Sequence, residues 1–191
     1  MTLGNGQRVL VAGQKSGMVH AMNPDADGAP LWSVRAGVGG KLGGAHWGSA
    51  ADARTVYVPI GGQDQVPVAD STRPEGSGRE RWRAAPSSCS GRTRCSPAQS
   101  APATVVGDVV FSGAVDGVLR AYDARTGRVL WSFDTVRDFT PVNGGKARGG
   151  AIDVAGPVVV GRRVYALSGY ALYGGLGGNV LMAFEMEGAR R

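Results

Sequence analysis

With 191 residues, the chain is long enough to bury the core of one domain. Its 32 glycines lie at turns between apolar runs and not in low-complexity repeats, which indicates turn chemistry and excludes a disordered chain. No apolar run of about 18 residues occurs, which excludes an ordinary membrane-spanning helix, and the N-terminus MTLGNGQRVLVAG lacks the charged and apolar regions of a signal peptide.

The net charge of +6 comes largely from arginine, spread over loops such as Arg79 to Arg94 and the tail Arg190-Arg191. Nucleic-acid binding would need a recognition helix, an aromatic platform or a compact basic stripe, and the sequence has none of these. We therefore interpret the charge as a solvated surface and expect no nucleic-acid partner.

The first predicted elements are the strands of residues 8–34. The run QRVLVAGQKSGMVHAMNPDADGAPLW alternates apolar segments with glycine turns, which is the pattern of an antiparallel β-meander. The same pattern is clearest in DVVFSGAVDGVLRAYDARTGRVLW, from Asp108 to Trp131. Gly13, Gly17 and Ala21 lie 100 positions before Gly113, Gly117 and Ala121, so the two segments are predicted to be copies of one structural unit.

A second repeat signal is the pattern Gly-x-x-x-Trp, which occurs at Gly28/Trp32, Gly78/Trp82 and Gly127/Trp131 with the glycines 50 and then 49 residues apart. A period near fifty, with room for four strands, is typical of a β-propeller blade. A blade buries its faces only against its neighbours, so we expect these three tryptophans to be buried between adjacent blades.

Polar residues precede several predicted blades, where a propeller chain enters its innermost strand. His46 and Trp47 precede the predicted strand Thr55 to Ile60, and these two are candidates to line the central channel. A core tryptophan with a hydrogen-bonded indole is the alternative interpretation of Trp47. The corresponding positions of the later blades hold Gln99, Ser100, Arg148 and Asp153.

The predicted architecture is all-β, with four-stranded antiparallel blades at about 8–34, 55–83, 105–133 and 158–187. The second blade is irregular because Pro67, Pro74 and Pro86 disfavour a long strand. The fourth lacks its tryptophan, so we count about three and a half blades. A chain that begins and ends inside a repeat is expected to be part of a longer protein that supplies the missing blades.

The two cysteines, Cys89 and Cys95, lie six positions apart in a loop rich in Ser, Pro and Gly. The loop contains no histidine, so metal binding is disfavoured, and a short disulfide in an oxidising compartment is the preferred interpretation. Two free thiols are the alternative.

Three runs carry a family resemblance: Gln14 to Pro24, Gly43 to Trp47 with the VYV strand after it, and FSGAVDGVLRAYDARTGRVLW. They resemble the second half of pyrroloquinoline-quinone (PQQ) dependent alcohol dehydrogenases, which are eight-bladed propellers. The runs CSPAQS at 95–100, Arg137-Asp138-Phe139 and Val142-Asn143-Gly144 are most similar to the polyvinyl-alcohol dehydrogenase branch. The resemblance covers nearly the whole chain except about residues 63 to 88.

The resemblance implies cofactor-binding roles for four residues. Lys15 matches the family's cation, in a Lys-x-Gly turn, that hydrogen-bonds the quinone oxygens, and such a cation would stabilise negative charge on a quinone that accepts a hydride. A solvated turn lysine is the alternative interpretation of Lys15. His46 replaces an Asn that contacts the PQQ carboxylates. Trp47 matches the family's neighbouring tryptophan, and Gln99 is a further channel candidate.

The resemblance places the calcium ligands, the general base and the tryptophan that stacks on the quinone in earlier blades, so no catalytic or metal-binding residue is assigned within this chain. Asp138 is interpreted as a loop acid. The implied function is periplasmic oxidation of alcohols, with electrons passed to a cytochrome c, and the isolated chain is expected to be inactive. A non-catalytic propeller scaffold of the outer-membrane assembly type is the alternative.

Overall fold

The computed structural model describes residues 1–61, 99–172 and 175–186. They divide into two compact units, Met1–Gln99 and Ser100–Arg191. The described ranges contain β-strands and no α-helix, and none of their elements is a helix long and apolar enough to cross a membrane. The expectation of an all-β chain is confirmed.

The first unit begins with a three-stranded antiparallel meander. Its strands are β1 (Leu10–Gly13), β2 (Met18–Asn23) and β3 (Ala29–Arg35), in the order β1-β2-β3. Two short antiparallel pairs follow, namely β4 (Gly44–Ala45) with β7 (Ile60–Gly61) and β5 (Ala50–Ala51) with β6 (Val56–Tyr57).

The core of the first unit lies between the meander and the chain that leads to β7. Buried Val19 of β2 packs against Val56, Val58 and Ile60. Partly buried Trp32 and Val34 of β3 extend this cluster. Each fully buried aliphatic side chain contributes about 1.5–3 kcal/mol, so this cluster holds the short β4–β7 pair against the meander.

The single strand predicted from Thr55 to Ile60 is wrong. The structure has β6 and β7 with Val58 and Pro59 between them. Pro59 has no amide hydrogen and cannot continue a hydrogen-bonded ladder. Its carbonyl instead accepts a hydrogen bond from the amide of His46, at 3.1 Å.

The second unit contains the clearest blade, a four-stranded antiparallel sheet in the order β11-β10-β9-β8. A short pair and a three-stranded sheet of order β14-β15-β16 follow it. The strands are β8 (Thr104–Val106), β9 (Val109–Gly113), β10 (Val118–Asp123), β11 (Val129–Asp134), β12 (Asp138–Phe139), β13 (Ala147–Arg148), β14 (Val158–Val160), β15 (Arg163–Ser168) and β16 (Val180–Glu185). The meander predicted from Asp108 to Trp131 is therefore confirmed.

Alternate residues of the two larger sheets meet in the core of the second unit. Leu119 of β10 packs with Ile152 and with Ala166 of β15, and all three are at most 2% exposed. Phe111 of β9 packs with Val164 of β15 in a neighbouring cluster. The two sheets thus bury their facing sides against each other, as successive propeller blades do.

A buried hydroxyl pair reinforces this contact. The Thr135 hydroxyl donates to the carbonyl of Gly117 at 2.6 Å and lies 2.6 Å from the Ser168 hydroxyl. The Ser168 hydroxyl in turn accepts the amide of Gly150 at 2.8 Å. The pair therefore joins the end of β15 to the turn between β9 and β10.

The expectation of buried tryptophans is only partly met. Trp32 is half-buried, whereas Trp131 is 38% exposed, so its predicted burial is wrong. Trp131 does contact Phe184 of the next sheet, with ring centroids 5.1 Å apart. Because β11 is an edge strand with one neighbour, the rest of the ring stays uncovered. Trp82, Cys89 and Cys95 lie outside the described residues.

The predicted blade boundaries and the count of three and a half blades stay predictions. The described residues include only the first part of the second predicted blade, at 55–61. The three larger sheets fall within the predicted ranges 8–34, 105–133 and 158–187 to within a few residues.

Replacing Thr135 by Val should lower the free energy of unfolding by about 1–3 kcal/mol, because the Ser168 hydroxyl loses a buried partner. Urea denaturation followed by tryptophan fluorescence measures this change. The control Thr140→Val, at an exposed position, should stay within about 0.5 kcal/mol of the wild type. Equal effects of the two substitutions would show that the hydroxyl pair does not stabilise the unit.

Tyr57→Phe should destabilise the first unit by about 1 kcal/mol near neutral pH, because the buried Tyr57 hydroxyl donates to Asp52 at 2.7 Å. Burial acts to raise the pKa of Asp52, but hydrogen bonds from Tyr57, Arg54 and Thr55 outweigh it and lower the pKa from 3.8. The stabilisation is therefore present above pH 3.8 and is lost as the pH falls through the lower folded-state pKa. Denaturation curves at pH 7 and pH 2.5 should show the difference from wild type shrinking in acid.

Candidate functional site

The candidate site is built on the turn between β1 and β2. The amide of Gly17 donates to the carbonyl of Gln14 at 3.0 Å, which closes the turn. The Ser16 hydroxyl donates to Gln14 Oε1 and accepts the Met18 amide, at 3.0 and 3.3 Å. This local network fixes the backbone from which the Lys15 side chain projects.

A glycine-rich segment, residues 37–44, packs against the same turn and bonds to its backbone. The amide of Gly40 donates to the Lys15 carbonyl at 3.1 Å, and the amide of Ala45 donates to the Gln14 carbonyl at 3.0 Å. Gly44 has a φ of +77°, and a Cβ added there would lie 2.3 Å from the Lys15 carbonyl oxygen. Only glycine allows this approach, so the segment sets the position of Lys15.

The chain that follows residues 37–44 brings His46 into contact with Lys15. The His46 amide donates to the Pro59 carbonyl, and its ring packs on Gly61, where an added Cβ would lie 2.6 Å from the ring. His46 Nε2 lies 2.6 Å from Lys15 Nζ. The structure therefore brings together two predicted site residues that are 31 positions apart in the sequence.

Trp47 follows at the surface. Its side chain is 52% exposed and its φ is +35°, an uncommon conformation for a bulky residue. The His46 and Trp47 rings meet edge to face with centroids 6.3 Å apart. The alternative of a core tryptophan is wrong, because about half of the Trp47 side chain is exposed to solvent.

Gln99, the fourth predicted site residue, is buried and only 1% exposed. Its amide donates to the Ile60 carbonyl at 3.1 Å, and Ile60 pairs with Ala45, the residue before His46. The backbone of Gln99 is therefore bonded to the β4–β7 strand pair, which ends one residue before His46.

The other inner-position candidates lie in the second unit. Ser100 and Asp153 are buried, and the Ser100 hydroxyl donates to the Asp153 carboxylate. Arg148 is exposed and pairs with Asp138 at 2.8 Å. The interpretation of Asp138 as a loop acid is wrong in its placement, because Asp138 lies in the short strand β12 and pairs there with Arg148.

The second unit contains the same turn without the lysine. Its Gly117 amide donates to the Ala114 carbonyl at 2.9 Å, and the Ile152 amide donates to that carbonyl at 3.0 Å. In this arrangement Val115 replaces Lys15 and Asp153 replaces His46. The fold therefore does not require a lysine and a histidine at these positions.

Arg35 also contacts the Lys15 turn, which the sequence did not predict. Its Nη1 donates to the Ser16 carbonyl at 3.1 Å, which brings a second cation to the Lys15 turn. Arg35 ends β3, 20 positions after Lys15, and nothing in the sequence pattern links the two.

In the part of the chain that the structure describes, no group of three His, Cys, Asp or Glu side chains could hold a metal ion.

This chain has successive antiparallel sheets with the same turn in both units, which is the architecture of a β-propeller protein. Residues 15–191 match the model of the PQQ_2 family, which is described as outer membrane protein assembly factor BamB. The chain belongs to this family.

Curated relatives agree with the resemblance found in the sequence. The chain is 40% identical over 206 residues to polyvinylalcohol dehydrogenase of Pseudomonas sp., covering 98% of this chain and 32% of the relative. It is 33% identical over 210 residues to polyvinylalcohol dehydrogenase of Sphingopyxis sp. (strain 113P3), covering 97% and 31%. It is also 36% identical over 87 residues to quinohemoprotein alcohol dehydrogenase ADH IIB of Pseudomonas putida, covering 44% and 12%.

The predicted similarity to quinoprotein alcohol dehydrogenases, and to the polyvinyl-alcohol branch, is confirmed. The chain spans about a third of the length of the first two relatives. Among solved structures, BamB from Moraxella catarrhalis matches with a TM-score of 0.48 and 20% identity, over 97% of this chain and 45% of that chain.

Gly44→Ala should destabilise the first unit by about 1–3 kcal/mol more than Gly28→Ala. Both glycines have positive φ, +77° and +75°, so the two alanines carry a similar backbone strain. Only the Cβ at Gly44 meets the Lys15 carbonyl, since no atom lies within 4 Å of a Cβ at Gly28. Coincident denaturation curves for the two variants would show that the close approach of Gly44 to the Lys15 carbonyl does not require glycine.

Proposed function

We propose that the chain forms part of a PQQ-dependent alcohol dehydrogenase, with polyvinyl alcohol as a substrate. The observation that carries the proposal is the contact between Lys15 Nζ and His46 Nε2, which lie 2.6 Å apart. The equivalent turn of the second unit has Val115 and Asp153 at these positions. The sequence identity to two polyvinylalcohol dehydrogenases supports the same reaction class.

The chemistry of the site fits PQQ, a planar molecule with quinone oxygens and carboxylates. Lys15 supplies an ammonium donor, and Arg35 adds positive charge at the same turn. The exposed ring of Trp47 offers a flat apolar surface next to these donors. A pocket for a flat anionic ligand needs this combination of an aromatic face and a few polar groups in fixed positions.

Oxidation of an alcohol to a carbonyl compound removes a hydride and a proton, and bound PQQ supplies the two-electron acceptor. Lys15 would donate a hydrogen bond to a quinone oxygen and stabilise the negative charge that develops there. The backbone bonds that fix the Lys15 turn keep this donor in place before the reaction begins. Gln99 would support the ladder that carries His46.

The remaining parts of the reaction are proposed to lie outside these 191 residues. Calcium and the general base would come from other blades of the same protein, which is consistent with coverage of 32% and 31% of the relatives. A cytochrome c is the proposed electron acceptor, and the relative named a quinohemoprotein supports a haem partner. The proposed location is the periplasm.

A non-catalytic scaffold is the second candidate, favoured by the description of the matching family as an outer-membrane assembly factor. Such a scaffold needs the sheets and their tryptophans. It has no use for a cation held at 2.6 Å from a histidine on an exposed turn. The effect of removing Lys15 therefore separates the two candidates.

In the full-length protein, Lys15→Ala should lower PQQ-dependent turnover of polyvinyl alcohol by about 10- to 1000-fold, because the donor to the developing charge is lost. Dye reduction with saturating PQQ and calcium measures turnover. The matched control Val115→Ala, at the equivalent position of the other turn, should leave turnover within about twofold. Equal turnover of the Lys15 variant and the wild type would exclude a cofactor role for this turn and favour the scaffold.

A further inference from the structure

We infer that His46 is a positioning residue, which holds the Lys15 ammonium through its Nε2 lone pair and is itself fixed as the Nδ1-protonated tautomer. The inference rests on the proposed function of the site. It gives His46 a role that acts through Lys15, and it differs from the expectation that His46 contacts PQQ carboxylates directly.

The direction of the hydrogen bond follows from the chemistry of the two groups. A lysine ammonium has three hydrogens and no lone pair, so it can only donate. At 2.6 Å from Lys15 Nζ, His46 Nε2 must therefore be the acceptor. A neutral imidazole that accepts at one nitrogen carries its hydrogen on the other, which places the hydrogen of His46 on Nδ1.

The ring of His46 is held independently of the lysine. The backbone amide of His46 donates to the Pro59 carbonyl, and the β4–β7 strand pair fixes the position of Ala45, the residue before His46. Gly61 leaves room for the ring, since an added Cβ would lie 2.6 Å from His46 Cε1. The adjacent Trp47 ring meets it edge to face. His46 is thus a fixed acceptor, and the long flexible side chain of Lys15 is the group that it positions.

Fixing Lys15 in this way would favour cofactor binding. One ammonium hydrogen is used by His46, which leaves two for the oxygens of PQQ. A lysine that is already ordered loses less rotamer freedom when the ligand binds, so the acceptor increases affinity without touching the cofactor. Asparagine could serve the same purpose, because its side-chain oxygen is also an acceptor.

The tautomer is tested by nuclear magnetic resonance on the full-length protein labelled with ¹⁵N-histidine, with His46→Asn used to assign the His46 ring signals. We expect a protonated Nδ1 and an unprotonated Nε2 at neutral pH. In Lys15→Met, which removes the donor, the Nε2 signal should shift. A proton on Nε2, or an Nε2 signal unchanged in Lys15→Met, would overturn the inference.

The positioning role is tested by PQQ affinity in equilibrium dialysis, which does not depend on activity. His46→Ala should weaken PQQ binding by about 5- to 50-fold, and His46→Asn should restore it to within about threefold of wild type. The double variant Lys15→Ala/His46→Ala should bind no more weakly than Lys15→Ala, because His46 acts only through the lysine.

The outcomes separate this inference from the proposed function. If Lys15→Ala binds PQQ as tightly as wild type, the proposed cofactor site is wrong and the positioning role falls with it. If Lys15→Ala weakens binding while His46→Ala does not, the proposed function stands and the positioning role is wrong. A double variant clearly weaker than Lys15→Ala would show that His46 contacts the cofactor directly.

Discussion

The fold depends on a backbone contact that the β1–β2 turn and the β9–β10 turn each make with the segment that follows their sheet. The carbonyl of Gln14 accepts the amide of Ala45, and the carbonyl of Ala114 accepts the amide of Ile152, both at 3.0 Å. Each carbonyl also accepts the amide of the glycine that closes its own turn, at 3.0 and 2.9 Å. Both lone pairs of one oxygen are therefore used, so the shape of the turn and the attachment of the next segment are set together.

Close approach of backbone segments explains several of the glycines. A chain that donates to the backbone of a turn must pass within a few ångströms of it, which leaves no room for a Cβ. A Cβ at Gly44 would lie 2.3 Å from the Lys15 carbonyl, and one at Gly149 would lie 1.9 Å from the Thr135 carbonyl. Glycine is thus required at positions such as Gly44 and Gly149, where one backbone segment passes close to another.

The sequence predicts the meanders well, because their information is local. Glycine turns and alternating apolar residues set β9 and β10 without knowledge of the rest of the chain. Two other features could not be predicted in this way. The burial of Trp131 depends on how many neighbours an edge strand has, and the break at Pro59 depends on which strand its neighbours pair with. Both are set by tertiary packing.

The geometry of the candidate site also depends on tertiary packing and could not be predicted from local sequence. The family resemblance identifies Lys15 and His46 separately, but their contact depends on the register of β4 with β7 and on the path of residues 37–44. The positive φ of Trp47 has no local sequence signal at all. Sequence therefore indicates which residues are candidates for the site, whereas the distance between them comes only from the folded chain.

Comparison of the β1–β2 turn with the β9–β10 turn distinguishes the features that the propeller fold requires from those that a reaction would require. The hydrogen bonds, the glycines and the adjoining apolar core occur in both units, so they belong to the fold. The exposed cation with its histidine occurs in the first unit, while the second has Val115 and a buried Asp153 held by Ser100. A repeat fold can place different side chains on one fixed turn, because the backbone bonds that define the turn do not involve those side chains. Lys15 can therefore occupy this turn without weakening the backbone bonds that define it, which makes Lys15 a candidate for function and not for stability.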